Sequence, residues 1–335
     1  MNLMINNYCN FKCSYCFAQE EMHSKKAMNI TMDNFCEYLN FLQKNNSRQV
    51  RLIGGEPTLH PELSKLIDKV IEYNFFDEVL IFTNLSFSHD IAEMLIEKNK
   101  IIPINLLANI NDLDLLLPNA RERVLDNLDF LSTSLSTFER ISINIFSPDQ
   151  DLKKWENIVC KYNIKTIRWS IVVPNQDLEK DFDVCHYFHQ FQPLMLDFIQ
   201  WTKKYGIELT CDCSVFPLCA LDDWAISKIL RIDPFFFNRR TCEEPVLDIT
   251  PDLNVRGCFG CRGMSQKNLK TFNTFDEIYD FFEKDRKKIS SNLARKECLH
   301  CDRYITIGQS CTCLGYRNLT MEDIKNENQT KISSF

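Results

Sequence analysis

Short apolar runs alternate with longer amphipathic segments along residues 1–205. The apolar runs predict β-strands, and the segments between them, which carry apolar residues at helical spacing, predict helices. The strands are predicted at residues 3–5, 50–53, 79–83, 102–107, 141–146 and 166–172, and the helices near 31–44, 61–73, 88–98, 121–131 and 152–162. Strands that alternate with helices form parallel sheets through right-handed crossovers. Because six units are too few for a closed eight-stranded barrel, we predict an α/β fold with an open, partial (β/α)6 TIM-like barrel.

Residues after 205 follow a different pattern, in which cysteines are frequent and apolar runs are short. A helix is expected within 181–205, with Pro193 starting or breaking it. Residues 246–255 predict a β-hairpin around the turn Pro251-Asp252-Leu253-Asn254, and residues 274–288 predict a helix. We therefore predict a barrel domain at 1–205, a small cysteine-rich extension of β-hairpin and helix at 206–318, and a polar tail at 319–335.

Three cysteines lie on one predicted loop near the start of the barrel, as Cys9-x3-Cys13-x2-Cys16. Three thiolates this close can bind three irons of a cubane iron–sulfur cluster and leave the fourth iron open for a substrate or cofactor. A structural zinc ion would need a fourth ligand, usually from paired C-x2-C units. A disulfide would leave one cysteine over and would strain the short loops. The spacing therefore favours an iron–sulfur cluster with an open coordination position.

A glycine-rich turn, Gly54-Gly55-Glu56-Pro57, follows the second predicted strand. The two glycines allow a backbone to approach a ligand closely, and the carboxylate could bind an ammonium group. Together with the cysteine loop, this turn resembles the radical S-adenosylmethionine (radical SAM) superfamily. The resemblance implies a 4Fe-4S cluster that binds the amine and carboxylate of S-adenosylmethionine, whose reductive cleavage yields a 5′-deoxyadenosyl radical that abstracts hydrogen from a substrate.

The resemblance also implies roles for individual residues. The cluster ligands would be Cys9, Cys13 and Cys16. The methionyl amine would face Gly54, Gly55 and Glu56, and the adenine would lie near Tyr15. The ribose and the methionyl carboxylate would contact polar residues at the ends of the fourth and fifth strands, which are Asn105 or Asn109, and Ser142 or Asn144.

The topology of the predicted sheet by itself indicates further residues of the ligand-binding site, because polar side chains lie at the ends of its strands. Ligands of parallel α/β folds bind at the carboxyl ends of the strands, and Asn84 and Asn144 lie there. Arg168 lies inside the sixth predicted strand, where it would either bind a carboxylate in the site or place a charge on an edge strand.

A second set of cysteines, in the predicted extension, could form another metal centre. Four thiolates suit either a fully ligated auxiliary iron–sulfur cluster or a structural zinc ion. Their layout resembles the twitch and SPASM extensions of radical SAM enzymes, which implies an auxiliary cluster held by Cys242, Cys258, Cys298 and Cys301. Whether there is a second auxiliary cluster is left as an open question. Its ligands would be Cys213, Cys219, Cys311 and Cys313, which resemble SPASM ligands but do not keep the SPASM spacing. Cys36, Cys160 and Cys185 are expected in the core.

Composition and charge indicate which classes of partner and which cell compartment suit this chain. The net charge is −7 with both signs mixed, which excludes a nucleic-acid-binding footprint. The chain contains neither a signal peptide nor an apolar run that would span a membrane. Sixteen cysteines without an export signal favour metal binding in a reducing compartment, so we expect a cytoplasmic protein. The resemblance implies a flavodoxin-like or ferredoxin-like electron donor.

Three hypotheses describe the function, and two of them name a class of substrate. Radical SAM enzymes with auxiliary clusters often modify ribosomally synthesised peptides, and no leader-binding module precedes Cys9, so a separate leader-peptide recognition protein is expected in that case. The alternative is a small-molecule enzyme that oxidises or modifies a sugar, an aminoglycoside or a nucleoside. A non-enzymatic iron–sulfur electron carrier ranks lowest, because such a carrier would not use Gly54-Gly55-Glu56.

Overall fold

The computed structural model describes most of the barrel and part of the extension. The described residues are 1–13, 15–16, 18, 22, 26–110, 113–135, 138, 140–172, 184–212, 218–234, 236, 246–258 and 265–293. Six of the predicted auxiliary ligands lie outside them: Cys213, Cys242, Cys298, Cys301, Cys311 and Cys313.

One ten-stranded sheet forms the centre of the described part of the molecule, with the strand order β10-β9-β8-β1-β2-β3-β4-β5-β6-β7. Strands β1 to β7 run parallel, and β8 continues the parallel pairing on the other side of β1. The strands are β1 (Asn2–Met4), β2 (Gln49–Ile53), β3 (Glu78–Thr83), β4 (Ile104–Asn109), β5 (Arg140–Ile145), β6 (Thr166–Ile171), β7 (Glu208–Cys211), β8 (Asp248–Ile249), β9 (Asn254–Arg256) and β10 (Lys267–Asn268).

Helices follow the parallel strands and bury their apolar faces against the sheet. They are α1 (Met32–Lys44), α2 (Leu63–Glu72), α3 (His89–Asn99), α4 (Pro118–Ser134), α5 (Glu156–Lys161), α6 (Val184–His189), α7 (Gln192–Lys204), α8 (Asp223–Ile232) and α9 (Phe275–Leu293). Thr31 caps α1 as expected, because its side chain accepts a hydrogen bond from the amide of Asn34 at 3.2 Å. Within the described ranges, no helix is both long and apolar enough to cross a membrane.

The predicted α/β partial barrel is confirmed, and all six predicted strands occur close to their expected bounds. A seventh parallel strand, β7, was not predicted; it pairs with β6 from Glu208 to Cys211. This strand is short and follows α7 immediately, so its few apolar residues gave no separate signal. The helix expected within 181–205 is two helices, and Pro193 lies in the first turn of α7.

The predicted hairpin is present as β8 and β9, which pair antiparallel. Leu253 in its turn has a positive φ of 66°. Strand β8 also pairs with β1, where Asp248 lies opposite Asn2. The hairpin therefore extends the sheet of the barrel directly. The domain boundary at 205 stays a prediction.

In β2, β3 and β6 buried residues alternate with half-buried ones. In β2, Val50 and Leu52 are fully buried, whereas Gln49 and Arg51 are half-buried. Strand periodicity of two sends these pairs to opposite faces, so the helices cover one face and the other lines the inside of the barrel. Closed TIM barrels fill this interior with branched apolar side chains. In this open barrel the face is mixed, since β6 carries only polar side chains there, whereas β3 carries Leu80 and Phe82 beside Glu78.

Candidate active site at the carboxyl edge of the sheet

The cysteine loop is held against the glycine-rich turn by backbone hydrogen bonds. The amide of Gly55 donates to the carbonyl of Asn6 at 3.1 Å, and the amide of Glu56 donates to the carbonyl of Tyr8 at 2.9 Å. A Cβ on Gly55 would lie 2.2 Å from the Tyr8 carbonyl oxygen, and one on Gly54 would lie 2.2 Å from Asn6 Oδ1. Both glycines are therefore required by the close approach of the segment that enters the cysteine loop.

Glu56 lies beneath this junction with its carboxylate fully enclosed. Its Oε1 accepts hydrogen bonds from the hydroxyls of Thr58 and Thr83, each at 2.7 Å, and from the Thr58 amide at 3.2 Å. Its Oε2 accepts from the amide of Asn84 at 2.7 Å. Burial raises the pKa of Glu56, and these four donors act in the opposite direction by stabilising the carboxylate. The side chain thus joins the ends of β2 and β3 into one rigid edge.

The chain reverses sharply after β3 and presents Asn84 to the cysteine loop. Leu85 has a positive φ of 60°, which is uncommon for a branched side chain, and it is fully buried. Asn127 on α4 secures this turn by donating to the carbonyls of Leu85 at 2.7 Å and Phe87 at 3.0 Å. Asn84 Nδ2 then donates to Asn10 Oδ1 at 2.8 Å and lies 3.7 Å from Cys9 Sγ. Asn84 was a predicted site residue, whereas Asn10 and Asn127 were not.

The three thiols of the loop lie within electrostatic range of one another. The pKa of Cys9 is raised to about 12 and that of Cys16 to about 11, mainly by burial and to a smaller extent by the charge of a Cys13 thiolate. The pKa of Cys13 is also raised by burial. Three partly buried thiolates that repel one another are stabilised by a cationic metal centre, and soft sulfur donors suit iron–sulfur clusters. The Cys9 sulfur also accepts a hydrogen bond from the Phe11 amide at 3.3 Å, a contact typical of cluster ligands. The donor set therefore fits the expected cluster.

Tyr15 stacks on Phe146, which directly follows β5. Their ring centroids are 5.4 Å apart and the ring planes differ by 10°. The two rings join the cysteine loop to the end of β5 and form an apolar wall beside the thiols. Phe146 was not a predicted site residue; its place at the carboxyl end of a strand was the available signal.

The strand register separates the polar residues of β4 and β5. Asn105 pairs with Leu80 near the start of β4, and its amide donates to the carboxylate of Glu78. Asn109 ends β4 and pairs with Ser142. Asn109 therefore lies at the carboxyl edge, whereas Asn105 lies toward the amino end. Asn144 lies further along β5, and its Oδ1 accepts from the Ser170 hydroxyl at 2.9 Å.

The interior of the barrel contains a cluster of charged side chains, of which only Arg168 was a predicted candidate. Arg168 on β6 forms an ion pair with Asp212, and its guanidinium carbon lies 5.5 Å from the Phe82 ring centroid. Asp248 on β8 accepts from Asn2 at 2.8 Å. Burial raises the pKa of Asp248 to about 7, and the charges of Asp212 and Arg168 also act on it. Because β8 and β7 are far apart in the strand order, this interaction indicates that the sheet curls and brings its ends together.

The remaining described cysteines occupy several environments. Cys258 follows β9 and is half-buried against the core. Cys160 on α5 is exposed, so its predicted place in the core is wrong. Cys185, also predicted in the core, is half-buried and lies against Cys219.

Relatives in sequence cover parts of the chain. A GTP 3',8-cyclase of Helicobacter pylori is 29% identical over 92 residues, which are 25% of this chain and 26% of that protein. One from Microcystis aeruginosa is 26% identical over 137 residues, 38% of each chain. A functionally uncharacterised protein of Methanocaldococcus jannaschii is 28% identical over 189 residues, 52% of this chain and 63% of that protein. These alignments therefore span between about a quarter and two thirds of the relatives' own length.

Solved structures match over more of the chain and at lower identity. Streptococcus suis SuiB bound to S-adenosylmethionine superposes with a TM-score of 0.60 and 16% identity, over 90% of this chain and 70% of SuiB. This likeness concerns the fold. The sequence pattern of the radical SAM superfamily matches residues 3–173. That segment begins on β1 and ends after β6, and it contains the cysteine loop and the backbone hydrogen bonds from Gly55 and Glu56 that clamp this loop to the glycine-rich turn. On the strength of this match, the chain belongs to the radical SAM superfamily.

Proposed function

We propose that this radical SAM enzyme modifies a ribosomally synthesised peptide through the site formed by the cysteine loop and the Gly54-Gly55-Glu56 turn. The family implies a 4Fe-4S cluster and S-adenosylmethionine. When bound, they supply a 5′-deoxyadenosyl radical that abstracts hydrogen from the substrate. The observation that carries the radical chemistry of this proposal is the pair of backbone hydrogen bonds from Gly55 to Asn6 and from Glu56 to Tyr8, because this clamp fixes the thiol loop directly beside the turn assigned to the methionyl group.

The residues of the chain have positioning and protecting roles in this proposal. Cys9, Cys13 and Cys16 hold the cluster, and Asn84 donates toward the Cys9 sulfur. The Glu56 carboxylate is saturated by four donors, so it fixes the turn, and the methionyl ammonium is bound by backbone carbonyls of this turn. A primary ammonium is a compact donor that suits carbonyl acceptors.

The adenosyl part of S-adenosylmethionine is assigned to the side of the site near β4 and β5. Tyr15 and Phe146 provide a stacked apolar surface for the adenine. Asn109 at the carboxyl end of β4, its partner Ser142 in the middle of β5 and Asn144 further along β5 are the candidates for the ribose and the methionyl carboxylate. Asn105 is the weaker candidate because it binds Glu78 near the other end of β4.

Support for a peptide substrate comes from the extent of the fold likeness. SuiB bound to its precursor peptide SuiA matches 90% of this chain with a TM-score of 0.60 and 15% identity, which reaches beyond the barrel. The half-buried ion pair of Arg168 and Asp212 offers hydrogen-bonding groups to a peptide inside the barrel. An auxiliary cluster on Cys242, Cys258, Cys298 and Cys301 is part of the proposal, and so are a flavodoxin-like or ferredoxin-like donor and a separate leader-peptide recognition protein.

A small-molecule substrate is the second candidate function. The observation in its favour is the sequence match to GTP 3',8-cyclases, which is 29% identical over 92 residues in the Helicobacter pylori protein. The same barrel interior would then bind a nucleotide or a sugar.

The reaction is tested first by formation of 5′-deoxyadenosine. The anaerobically reconstituted protein should contain about four irons per chain for the first cluster and about eight with one auxiliary cluster. With a chemical reductant it should cleave S-adenosylmethionine, and Cys13→Ala should abolish this cleavage. Cys160→Ala removes an exposed cysteine on α5 and serves as the matched control. Continued cleavage by Cys13→Ala would refute the cluster assignment.

The substrate is tested by mass spectrometry of two sets of candidates. Synthetic peptides encoded by short reading frames next to the gene should be modified and should stimulate 5′-deoxyadenosine formation. GTP and aminosugars are the competing substrates. Turnover of GTP without turnover of any peptide would replace the peptide proposal by the small-molecule one.

A further inference from the structure

Two cysteines outside the proposed active site approach each other directly. The Sγ atoms of Cys185 and Cys219 lie 2.8 Å apart, although the residues are 34 positions apart in the sequence. Cys185 lies in the first turn of α6, and Cys219 lies in the short 3-10 turn Leu218–Ala220 that follows β7 by several residues. Cys219 is exposed and Cys185 is half-buried. Cys219 is therefore the more accessible of the two residues to small reagents.

Neighbouring hydrogen bonds hold the two segments in this register. One helical turn after Cys185, His189 Nδ1 lies 3.0 Å from the carbonyl oxygen of Ala220. At the start of α7, Gln192 exchanges two hydrogen bonds with Asp222, at 2.7 Å and 2.9 Å. The sulfur contact is thus the first of three successive links between α6–α7 and residues 219–222. Because the other two links fix the spacing, the two sulfurs meet as part of the packing.

The sulfur–sulfur distance decides between a shared metal and a direct bond. Two thiolates on one tetrahedral zinc ion, each at about 2.3 Å from the metal, are about 3.8 Å apart. Ligands of a cubane bind different irons and are separated further. A disulfide brings the sulfurs to about 2.0 Å. At 2.8 Å the two sulfurs lie nearer to the disulfide distance than to the separation on a shared metal ion, and less than about 1 Å of motion would complete a disulfide.

We propose that Cys185 and Cys219 are a thiol pair that closes into a disulfide between α6 and the Leu218–Ala220 turn. The oxidant is a low-molecular-weight disulfide, RS–SR. The exposed Cys219 thiolate attacks one of its sulfurs, which releases RS⁻ and leaves a mixed disulfide on Cys219. The Cys185 thiolate then attacks the Cys219 sulfur and releases the second RS⁻. The two cysteine protons pass to the two leaving thiolates, so two thiols and one RS–SR give one protein disulfide and two RSH.

This pairing has a consequence for the cysteine-rich region. A cysteine that forms a disulfide cannot also ligate an auxiliary cluster. Cys219 therefore leaves the set of candidate cluster ligands, and the second auxiliary cluster that the sequence left open loses one of its four cysteines. The pairing itself is independent of the substrate and of the proposed reaction.

The test uses the full-length, cluster-loaded protein under anaerobic conditions. The protein is incubated with oxidised glutathione, alkylated and digested, and the peptides are analysed by mass spectrometry. We expect a linked peptide pair joining Cys185 and Cys219 that disappears on reduction with dithiothreitol. The Cys185→Ser variant should stop at a glutathione adduct on Cys219, because the resolving thiol is missing. Cys160→Ser, which removes an exposed cysteine on α5, should form the linked pair like the wild type.

Iron content provides a second measurement on the same samples. Cys185→Ser and Cys219→Ser should contain as much iron per chain as the wild type, and circular dichroism should confirm that both variants fold. The proposal is overturned if the oxidised wild type gives no linked pair. It is also overturned if either serine variant loses about four irons per chain, since that would identify a cluster ligand.

Discussion

The backbone amide of Asn84 donates a 2.7 Å hydrogen bond to Oε2 of Glu56. This contact joins the residue after β3 to the turn after β2, and it orients Asn84 toward the Cys9 sulfur. A buried carboxylate stabilises such a junction only while its two oxygens accept hydrogen bonds from the donors that surround them. The hydrogen bonds that Glu56 accepts thus offset the cost of burying a carboxylate at the edge of the sheet.

Replacing Glu56 by glutamine should disrupt this junction. In Glu56→Gln the new side-chain amide would turn a hydrogen-bond donor toward donors of Thr58, Thr83 or Asn84, which should lower the free energy of unfolding by about 2 kcal/mol. We also expect loss of 5′-deoxyadenosine formation, because the turn would no longer hold the cysteine loop. Chemical denaturation and chromatography of the nucleoside products measure the two effects. Glu62→Gln, which changes an exposed carboxylate paired with Lys65, is the control and should change neither by much; equal effects of the two variants would contradict this role for Glu56.

Gly55→Ala should separate the glycine-rich turn from the cysteine loop. The added Cβ would lie 2.2 Å from the Tyr8 carbonyl oxygen, a backbone atom that cannot rotate away. The expected cost is about 3 kcal/mol of unfolding free energy, with a lower iron content after reconstitution. Gly206→Ala provides the comparison, because Gly206 has a φ of 65° and no neighbour within 4 Å. It should cost about 1 kcal/mol through strain alone and leave the iron content unchanged. Full iron loading of Gly55→Ala would show that the clamp is dispensable.

The Asp248 carboxyl should make stability depend on pH. Its pKa is raised by burial from 3.8 to about 7, so the folded protein holds a proton that the unfolded chain releases between about pH 4 and 7. The free energy of unfolding should therefore fall as pH rises through this window, by about 4 kcal/mol in total. Asp248→Asn keeps an acceptor for Asn2 and should flatten the slope. Asp197→Asn on the exposed side of α7 should leave the slope as in the wild type; an unchanged slope in Asp248→Asn would assign the effect to another group.

Phe146→Ala should weaken the binding of S-adenosylmethionine. The substitution removes the ring that stacks on Tyr15 at 5.4 Å, and an aromatic pair of this kind contributes about 1 kcal/mol. We expect roughly fivefold weaker binding in anaerobic equilibrium dialysis, with the iron content retained. Phe130→Ala removes a ring that contacts His89 on the outside of the barrel and should not change the affinity. Undiminished affinity in Phe146→Ala would exclude the stacked pair from the adenine site.

The strands and helices of the barrel and the chemistry of its first loop can be predicted from the sequence alone. Apolar runs gave the six predicted strands because each parallel strand buries a full face under helices, and this burial leaves a local pattern. Cys9, Cys13 and Cys16 were identifiable because cluster ligands follow one another on a single loop. Thr31 and Pro193 marked helix starts for equally local reasons.

The contacts between residues of different strands depend on the tertiary fold. The register places Asn109 at the carboxyl edge and Asn105 toward the other end, a difference of four residues within one strand that composition does not reveal. The curl of the sheet brings Asp248 near Arg168 and Asp212, and the packing of α6 brings Cys185 to Cys219. These contacts join residues that are distant in the sequence, so they depend on strand register and helix packing and leave no periodic pattern along the chain.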